Sequence, residues 1–348
     1  MSTSAEESLI TEKTEEKKIQ ISEETKQAIN TIHTAMNLLF NTNHDVTEAN
    51  YIRRRAALDF IQRLHFPLIG RNSPLSKTTK TITTQDGSSI TMIMYRPKNL
   101  ENEKLPFIYL CHGGGFCLGN IDTYEPQIIE LCLLIRLCII YVDYRLAPQY
   151  KFPIPITDCS DGLIHVLHNS EEYKVDNTKY FLVGDSAGGS LCINVYHIIK
   201  NMKDIHLPLA EILLYPVIHR EACQYKHISE DYLPEEVRGM ELKTLEKMGE
   251  FYINPDPAVM SKYKGLDIDD DYTNFPPCYL LMCEYDYLSY FSEQFSQQLK
   301  NLNRKIVNYR VSGAVHGIWE QEDLSHYVNQ IICTSINDTF KTLEESKQ

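Results

Sequence analysis

The sequence predicts an α/β protein with a mostly parallel central sheet, covered by helices on both faces. Two alternating apolar runs before and after Asp86-Gly87 indicate an antiparallel hairpin at the start. Short apolar runs then alternate with longer segments of helical periodicity, which is typical of repeated strand–helix units. The stretch Tyr180–Gly189 combines an apolar run, a turn of small residues and the start of a helix.

The elements follow from these patterns in chain order. Strands are expected where Ile, Leu, Val, Tyr and Cys cluster in short runs, namely at Thr79–Thr84, Ile90–Arg96, Pro106–Cys111, Cys138–Asp143, Lys179–Val183, Leu209–Tyr215, Cys278–Cys283 and Lys305–Val311. Helices are expected where apolar residues recur every three or four positions, at about Thr123–Arg136, Ile156–Asn169, Ala187–Lys200, Tyr290–Leu302 and Glu320–Leu343.

The chain divides into a tail, a core and segments that we expect to form a cap. Residues 1–22 carry mixed charge and few apolar groups, so they are expected to be a disordered tail. Residues 23–75 show helical periodicity and are expected to contribute to the cap. The core is assigned to residues 76–216 and 273–348. The long polar segment 217–272 between them contains a predicted helix at Leu233–Tyr252 and is interpreted as a cap insertion over a site.

Composition excludes several classes of partner. The net charge of −13 argues against nucleic acid and against electrostatic binding to anionic membranes. No apolar run is long enough for an integral membrane segment. The 10 cysteines include no C-x-x-C pair and no zinc spacing, so we expect no metal site and reduced thiols, hence a cytoplasmic location. Oligomeric state is not indicated by any pattern.

The turn Gly184-Asp185-Ser186-Ala187-Gly188 has the form of a nucleophile elbow. In such a strand–turn–helix unit the serine hydroxyl projects from the top of the sheet beside exposed backbone N–H groups. A glycine-rich turn with an ordinary serine N-cap is the alternative that the pentapeptide alone leaves open.

A second glycine-rich loop, His112-Gly113-Gly114-Gly115-Phe116, directly follows a predicted strand. Consecutive glycines leave backbone N–H groups unobstructed, so the loop can supply donors to a developing oxyanion. A phosphate cradle is less well supported because no Lys-Ser/Thr pair follows. A flexible loop without a role is the remaining alternative.

A serine nucleophile needs a base and a group that orients the base. Asp286 and His316 follow two predicted strands in the order Ser–Asp–His that this architecture uses, and the carboxyl ends of parallel strands are where sites form. Glu284 is the alternative to Asp286 as the orienting residue.

Together these blocks, with Tyr144-Arg145-Leu146-Ala147-Pro148, resemble the hormone-sensitive-lipase-like esterases of the α/β-hydrolase fold. The resemblance covers about Ile90–Trp319. It implies Ser186 as nucleophile, His316 as base and Asp286 as orienter. It also implies an oxyanion hole from the N–H groups of Gly114, Gly115 and Ala187. The sequence departs from the family at Gln149, where an acid is usual, at Tyr287, where proline is usual, and at Cys117 beside the glycine loop.

The expected function is therefore that of a serine carboxylic-ester hydrolase acting on small to medium acyl esters without a cofactor. An amidase or deacetylase with the same triad, and a non-catalytic receptor for small ligands, are the alternatives. The residues expected to line the substrate pocket are His112, Gly113, Phe116, Cys117 and Asp185.

Overall fold

The computed structural model describes residues 17–18, 51–52, 55, 73–218, 232–233, 242–256, 258–259 and 271–346. The expectations for most of the tail 1–22, most of 23–75 and most of the insertion 217–272 lie outside these residues. Lys17–Lys18 of the tail are described, and they form a short strand paired with Val311–Ser312, which differs from the expected disorder.

One mixed sheet organises the described part of the chain. Its strands are β1 (Lys17–Lys18), β2 (Leu75–Thr83), β3 (Ser89–Pro97), β4 (Leu105–Cys111), β5 (Cys138–Asp143), β6 (Val175–Asp185), β7 (Ala210–Leu214), β8 (Cys278–Tyr285) and β9 (Ile306–Val315). Their spatial order is β1-β9-β8-β7-β6-β4-β5-β3-β2. The hairpin β2–β3 is antiparallel, as is the β3–β5 pair, and the other pairs are parallel. The predicted fold class is confirmed.

Helices cover both faces of this sheet. They are α1 (Ile121–Ile135), α2 (Ile154–His168), α3 (Ser170–Tyr173), α4 (Ala187–Ile199), α5 (Leu242–Tyr252), α6 (Ser289–Asn301) and α7 (Glu322–Glu345). One core contains apolar side chains of α2, α4 and α6, and a second contains those of α1 and α7. Among the described helices, none is long and apolar enough to cross a bilayer.

The differences from the predicted boundaries have local causes. Strand β6 is longer at both ends than Lys179–Val183, because it pairs with β4 as far back as Val175 and runs into the serine turn. Strand β9 continues to Val315 because that residue still pairs with Tyr285. Of the helix expected at Leu233–Tyr252, the structure describes α5 (Leu242–Tyr252) and Leu233, which is not helical; residues 234–241 lie outside the described residues.

A carboxyl group lies unpaired in the core. Glu211, on the central strand β7, is fully buried, and neither carboxyl oxygen has a hydrogen-bond partner within the described residues. Burial raises the pKa of Glu211 well above its ordinary 4.5. The folded protein therefore keeps a proton on this group that the unfolded chain releases near pH 4.5. Stability contributed by that proton is complete below pH 4.5 and is lost as the pH rises towards the folded-state pKa.

Replacing this carboxyl by an apolar group of similar volume should stabilise the fold. We expect Glu211→Met to raise the free energy of unfolding by about 1–3 kcal/mol, the cost of an unpaired buried polar group. The gain should be larger at pH 8 than at pH 5, measured by urea denaturation. The exposed Glu101→Met is the matched control and should show neither effect. A destabilised Glu211→Met protein, or a gain independent of pH, would contradict the interpretation.

Candidate active site

Ser186 lies in the sharp turn between β6 and α4. Its backbone is left-handed, with φ 51° and ψ −119°, a conformation that costs a non-glycine residue about 1–3 kcal/mol. Hydrogen bonds to a neighbouring segment help to hold it: the Ser186 N–H donates to Leu214 O (2.8 Å), and the Ser186 carbonyl accepts from Val217 N–H (3.0 Å). A Cβ on Gly188 would lie 2.0 Å from Cys111 O, so only glycine fits there.

The structure brings three of the predicted site residues into one hydrogen-bonded chain. His316 Nε2 lies 2.8 Å from Ser186 Oγ, and His316 Nδ1 lies 2.8 Å from Asp286 Oδ2. The other oxygen of Asp286 accepts from Leu288 N–H at 2.9 Å, which fixes the carboxylate. Glu284, the alternative orienter, instead accepts from Gly313 N–H at 2.6 Å.

The electrostatics of His316 result from opposing effects. Burial disfavours the charged imidazolium, whereas the charge and hydrogen bond of Asp286 favour it. The effect of the carboxylates outweighs that of burial, so the pKa of His316 lies above its ordinary 6.5. Asp286 can therefore stabilise an imidazolium if His316 accepts a proton from Ser186.

The glycine-rich loop after β4 presents backbone donors. Gly114 (φ 101°) and Gly115 (φ 59°) are left-handed, and the Gly114 carbonyl closes the turn by accepting from Leu118 N–H at 2.8 Å. The N–H groups of Gly114, Gly115 and Ala187 have no acceptor within the part of the chain that the structure describes. Ala187 is the first residue of α4, where the helix dipole adds positive potential.

His112 and Asp185 support this loop from inside the protein. Both are fully buried. His112 Nδ1 lies 2.8 Å from Gly113 O, and Asp185 Oδ1 accepts from Gly113 N–H at 2.8 Å. Burial lowers the pKa of His112 to about 4, so near pH 7 its ring is neutral. The sequence interpretation placed both residues in the substrate pocket; their burial and their bonds to the loop backbone favour a supporting role instead.

Helix α5 of the insertion packs directly on the glycine loop. The ring of Tyr252 stacks on Phe116 with centroids 3.7 Å apart. The side chain of Met248 lies over Gly115, where an added Cβ would be 2.3 Å from its sulfur. Cys117 is buried beside the backbone of α5, with its sulfur 3.8 Å from Met248 O. Pocket contact by Gly113, Phe116 and Cys117 stays a prediction.

Two residues of the N-terminal segment 23–75, which the sequence analysis missed, contact the same loop. The hydroxyl of Tyr51 donates to Cys117 O at 3.0 Å. The guanidinium of Arg55 donates to Cys117 O, to Ala147 O and to the amide oxygen of Gln149, each at 3.1 Å. Gln149, which departs from the family pattern, therefore still provides an acceptor for this cation.

Tyr124 and Glu320 were also missed, although both lie near the triad. The Tyr124 hydroxyl contacts Asp185 and Glu320. Glu320 could have been noticed as an acid four residues after His316. Nothing in the sequence distinguishes Tyr124 from the other tyrosines of the chain.

Comparison with known proteins gives consistent matches. A family model described as an alpha/beta hydrolase fold matches residues 108–320. A protein of Acanthamoeba polyphaga mimivirus whose name places it in the alpha/beta hydrolases is 28% identical over 66% of this chain and 65% of its own length. Lipase 2 of Moraxella sp. (strain TA144) is 26% identical over 68% of this chain and 61% of that protein. The chain thus spans less than two thirds of these two relatives.

A solved structure extends the likeness over nearly the whole chain. An esterase of Rhizomucor miehei shares 26% sequence identity, superposes with a TM-score of 0.72, and is matched over 90% of this chain and 98% of its own. The chain belongs to the α/β-hydrolase fold family, and the resemblance to hormone-sensitive-lipase-like carboxylesterases is confirmed.

The hydrogen bonds of Arg55 predict how variants at Arg55 and Gln149 rank in stability. Arg55→Met removes three hydrogen bonds and should lower the free energy of unfolding by about 1–3 kcal/mol. Gln149→Ala removes one of these hydrogen bonds and should lower the free energy of unfolding by less. Gln149→Glu turns that bond into an ion pair between guanidinium and carboxylate, and the stability of this variant should equal or exceed that of the original protein. Melting temperatures of the purified variants test this order, and an Arg55→Met protein as stable as the original would contradict it.

Proposed function

We propose that this protein is a serine carboxylic-ester hydrolase that acts on small to medium acyl esters through an acyl-enzyme intermediate. The observation that carries the proposal is the hydrogen-bonded chain from Ser186 through His316 to Asp286, with both contacts at 2.8 Å. This is the geometry in which an otherwise weak hydroxyl nucleophile is activated. The relatives named as a lipase and an esterase support it.

In the first half-reaction, Ser186 Oγ attacks the ester carbonyl carbon while His316 Nε2 takes the hydroxyl proton. The carbonyl oxygen gains negative charge, and the N–H groups of Gly114, Gly115 and Ala187 are proposed to bind it. Asp286 holds the imidazole in the correct tautomer and stabilises its positive charge. The tetrahedral intermediate then collapses: the bond to the alcohol oxygen breaks, and His316 donates the proton to the leaving alcohol.

The second half-reaction repeats these roles with water. His316 removes a proton from a water molecule as its oxygen attacks the acyl carbon, and the proton passes to Ser186 Oγ when the acid leaves. No cofactor is required by this sequence of steps. Because the backbone donors and Asp286 are fixed before reaction, the site does not need to reorganise as charge develops.

The size limit on the acyl group is proposed to come from the cap. Met248 lies over Gly115, and the stacked pair Phe116–Tyr252 lies beside it. These side chains therefore restrict the space for an acyl group next to the proposed oxyanion site. The N-terminal segment 23–75 and the insertion 217–272 are proposed to form this cap together. The proposal also includes a cytoplasmic location, which is supported by the free, buried thiols among the described cysteines.

Hydrolysis of nitrophenyl esters from acetate to palmitate tests the function. We expect turnover of the shorter esters, a decline towards palmitate, and a loss of at least about 10³-fold in kcat for Ser186→Ala. Ser190→Ala is the matched control, because Ser190 lies one turn further along α4 and should be dispensable. Equal rates for the original protein and Ser186→Ala would contradict the proposal, and equal turnover of nitroanilides would favour the amidase alternative.

The pH dependence should report the protonation of His316. Only the neutral imidazole can accept the Ser186 proton, so kcat/KM should fall as the pH drops through the pKa of His316. Since that pKa lies above 6.5, the acid limb should have its midpoint above pH 6.5. The profile is measured with an uncharged ester between pH 5 and 8, and a flat profile over this range would exclude His316 as the base.

A further inference from the structure

Three loops of the candidate site meet at one buried hydroxyl group. Tyr124, in the first turn of α1, is 1% exposed, and its hydroxyl accepts from Gly113 N–H at 3.1 Å. The same oxygen lies 2.9 Å from Asp185 Oδ2 and 3.2 Å from Glu320 Oε1. Gly113 belongs to the glycine loop, Asp185 precedes Ser186, and Glu320 ends the short 3₁₀ helix that follows His316. We call these four residues the junction.

The number of protons at the junction is limited. The Tyr124 hydroxyl has a single hydrogen and contacts two carboxyl groups, so it can satisfy only one of them as an acceptor. Two ionised carboxylates on one buried oxygen would also repel each other strongly. Asp185 and Glu320 are therefore best satisfied together when they hold one additional proton.

The surroundings decide which group carries that proton. Asp185 accepts from Gly113 N–H as well as from Tyr124, and donors of this kind favour the ionised form. Within the described residues, the Glu320 carboxyl has only the Tyr124 hydroxyl as hydrogen-bond partner. A protonated Glu320 can donate to Tyr124, which in turn donates to an ionised Asp185.

Burial keeps this proton on the pair to a pH well above the range in which exposed carboxyl groups ionise. Burial and the charge of Glu320 raise the pKa of Asp185 to about 7, and burial also raises the pKa of Glu320. Because the two carboxyls are coupled, the shared proton belongs to the pair. It is lost as the pH rises through about 7 into the alkaline range.

We propose that Glu320 is a positioning residue which, in its protonated form, joins the loop of His316 through Tyr124 to Asp185 and the glycine loop. This inference rests on the proposed esterase function. When the proton is lost, Glu320 is repelled by Asp185, the junction opens, and the alignment of His316 with Ser186 and the glycine loop is weakened. Misplacement of a reacting group by about 1 Å can cost up to about 100-fold in rate, so hydrolysis should decline at alkaline pH.

The other titratable groups around the junction cannot produce the alkaline decline. They come from α1, from β4 and β5 with the segments that follow them, from the segment after β7 and from the loop after β9: Tyr124, His112, Tyr141, Tyr144, Tyr215 and His316. Burial raises the pKa of each tyrosine well above its ordinary 10.0. His112 is neutral. Loss of the proton from His316 raises the rate, because only the neutral imidazole can act as the base.

Four variants test the proposal through kcat for a short nitrophenyl ester between pH 6.5 and 9.5. Glu320→Ala and Tyr124→Phe should lower kcat at pH 7 about tenfold with little change in KM. The reason is that each loses the hydrogen bond that connects the His316 loop to the rest of the junction. Glu320→Gln should restore most of the rate, since its amide N–H donates to Tyr124 as a protonated carboxyl does. It should also lack the alkaline decline. Glu211→Gln, which removes a buried carboxyl outside the junction, should keep that decline.

A second readout does not depend on activity. In infrared difference spectra between pH 7 and 9, the C=O stretch of a protonated carboxyl should disappear in the original protein and be missing in Glu320→Gln, whereas Glu211→Gln should retain the change. Near-ultraviolet circular dichroism at pH 9 checks that each variant is folded. If no ester is hydrolysed at all, the proposed function fails while this spectrum still tests the junction. The inference is overturned if Glu320→Gln keeps the alkaline decline, if the original protein has none, or if the carboxyl band is unchanged by the substitution.

Discussion

The left-handed backbone at Ser186 is the constraint on which the site depends. It lifts the hydroxyl above the ends of the central strands, but it is strained for a residue with a side chain. The strain is held by β7 and the segment after it, through bonds to Leu214 and Val217, and by the close approach of Gly188 to the end of β4. Because β4 ends there, the glycine loop that follows begins beside the serine. One local conformation thus brings nucleophile and backbone donors together.

The rest of the site is arranged around that fixed point by groups that are mostly withdrawn from water. Burial alone would leave His316 a weaker base, and Asp286 reverses the direction of the shift. The glycine loop is held from below by Asp185 and from above by α5, where Tyr252 stacks on Phe116. Arg55 adds a cation that binds the carbonyl oxygen of Cys117, directly after the loop, and that of Ala147, in the segment after β5. Such support from rigid neighbours is what keeps the donors aimed at one position.

The sequence was sufficient for the features that depend on local pattern. The hairpin, the strand–helix alternation, the serine turn and the order Ser186–Asp286–His316 all follow from short motifs, and the fold class is confirmed. The sequence favours Asp286 over Glu284 as the orienter but leaves both open, because their difference is the direction of two side chains at the end of one strand. Tyr124, Glu320 and Arg55 could not be found, since each acts through contacts between segments far apart in the chain. His112 and Asp185 adjoin the motifs, but their burial is a property of tertiary packing.

The most direct test of the site is the rate at which a fluorophosphonate modifies the protein, followed by mass spectrometry of its peptides. We expect a single adduct on the peptide that contains Ser186. We also expect it to form at least about 10³-fold more slowly in His316→Gln, because the hydroxyl then lacks its base. No adduct, an adduct on another serine, or an equal rate in the two proteins would mean that Ser186 is not activated by His316.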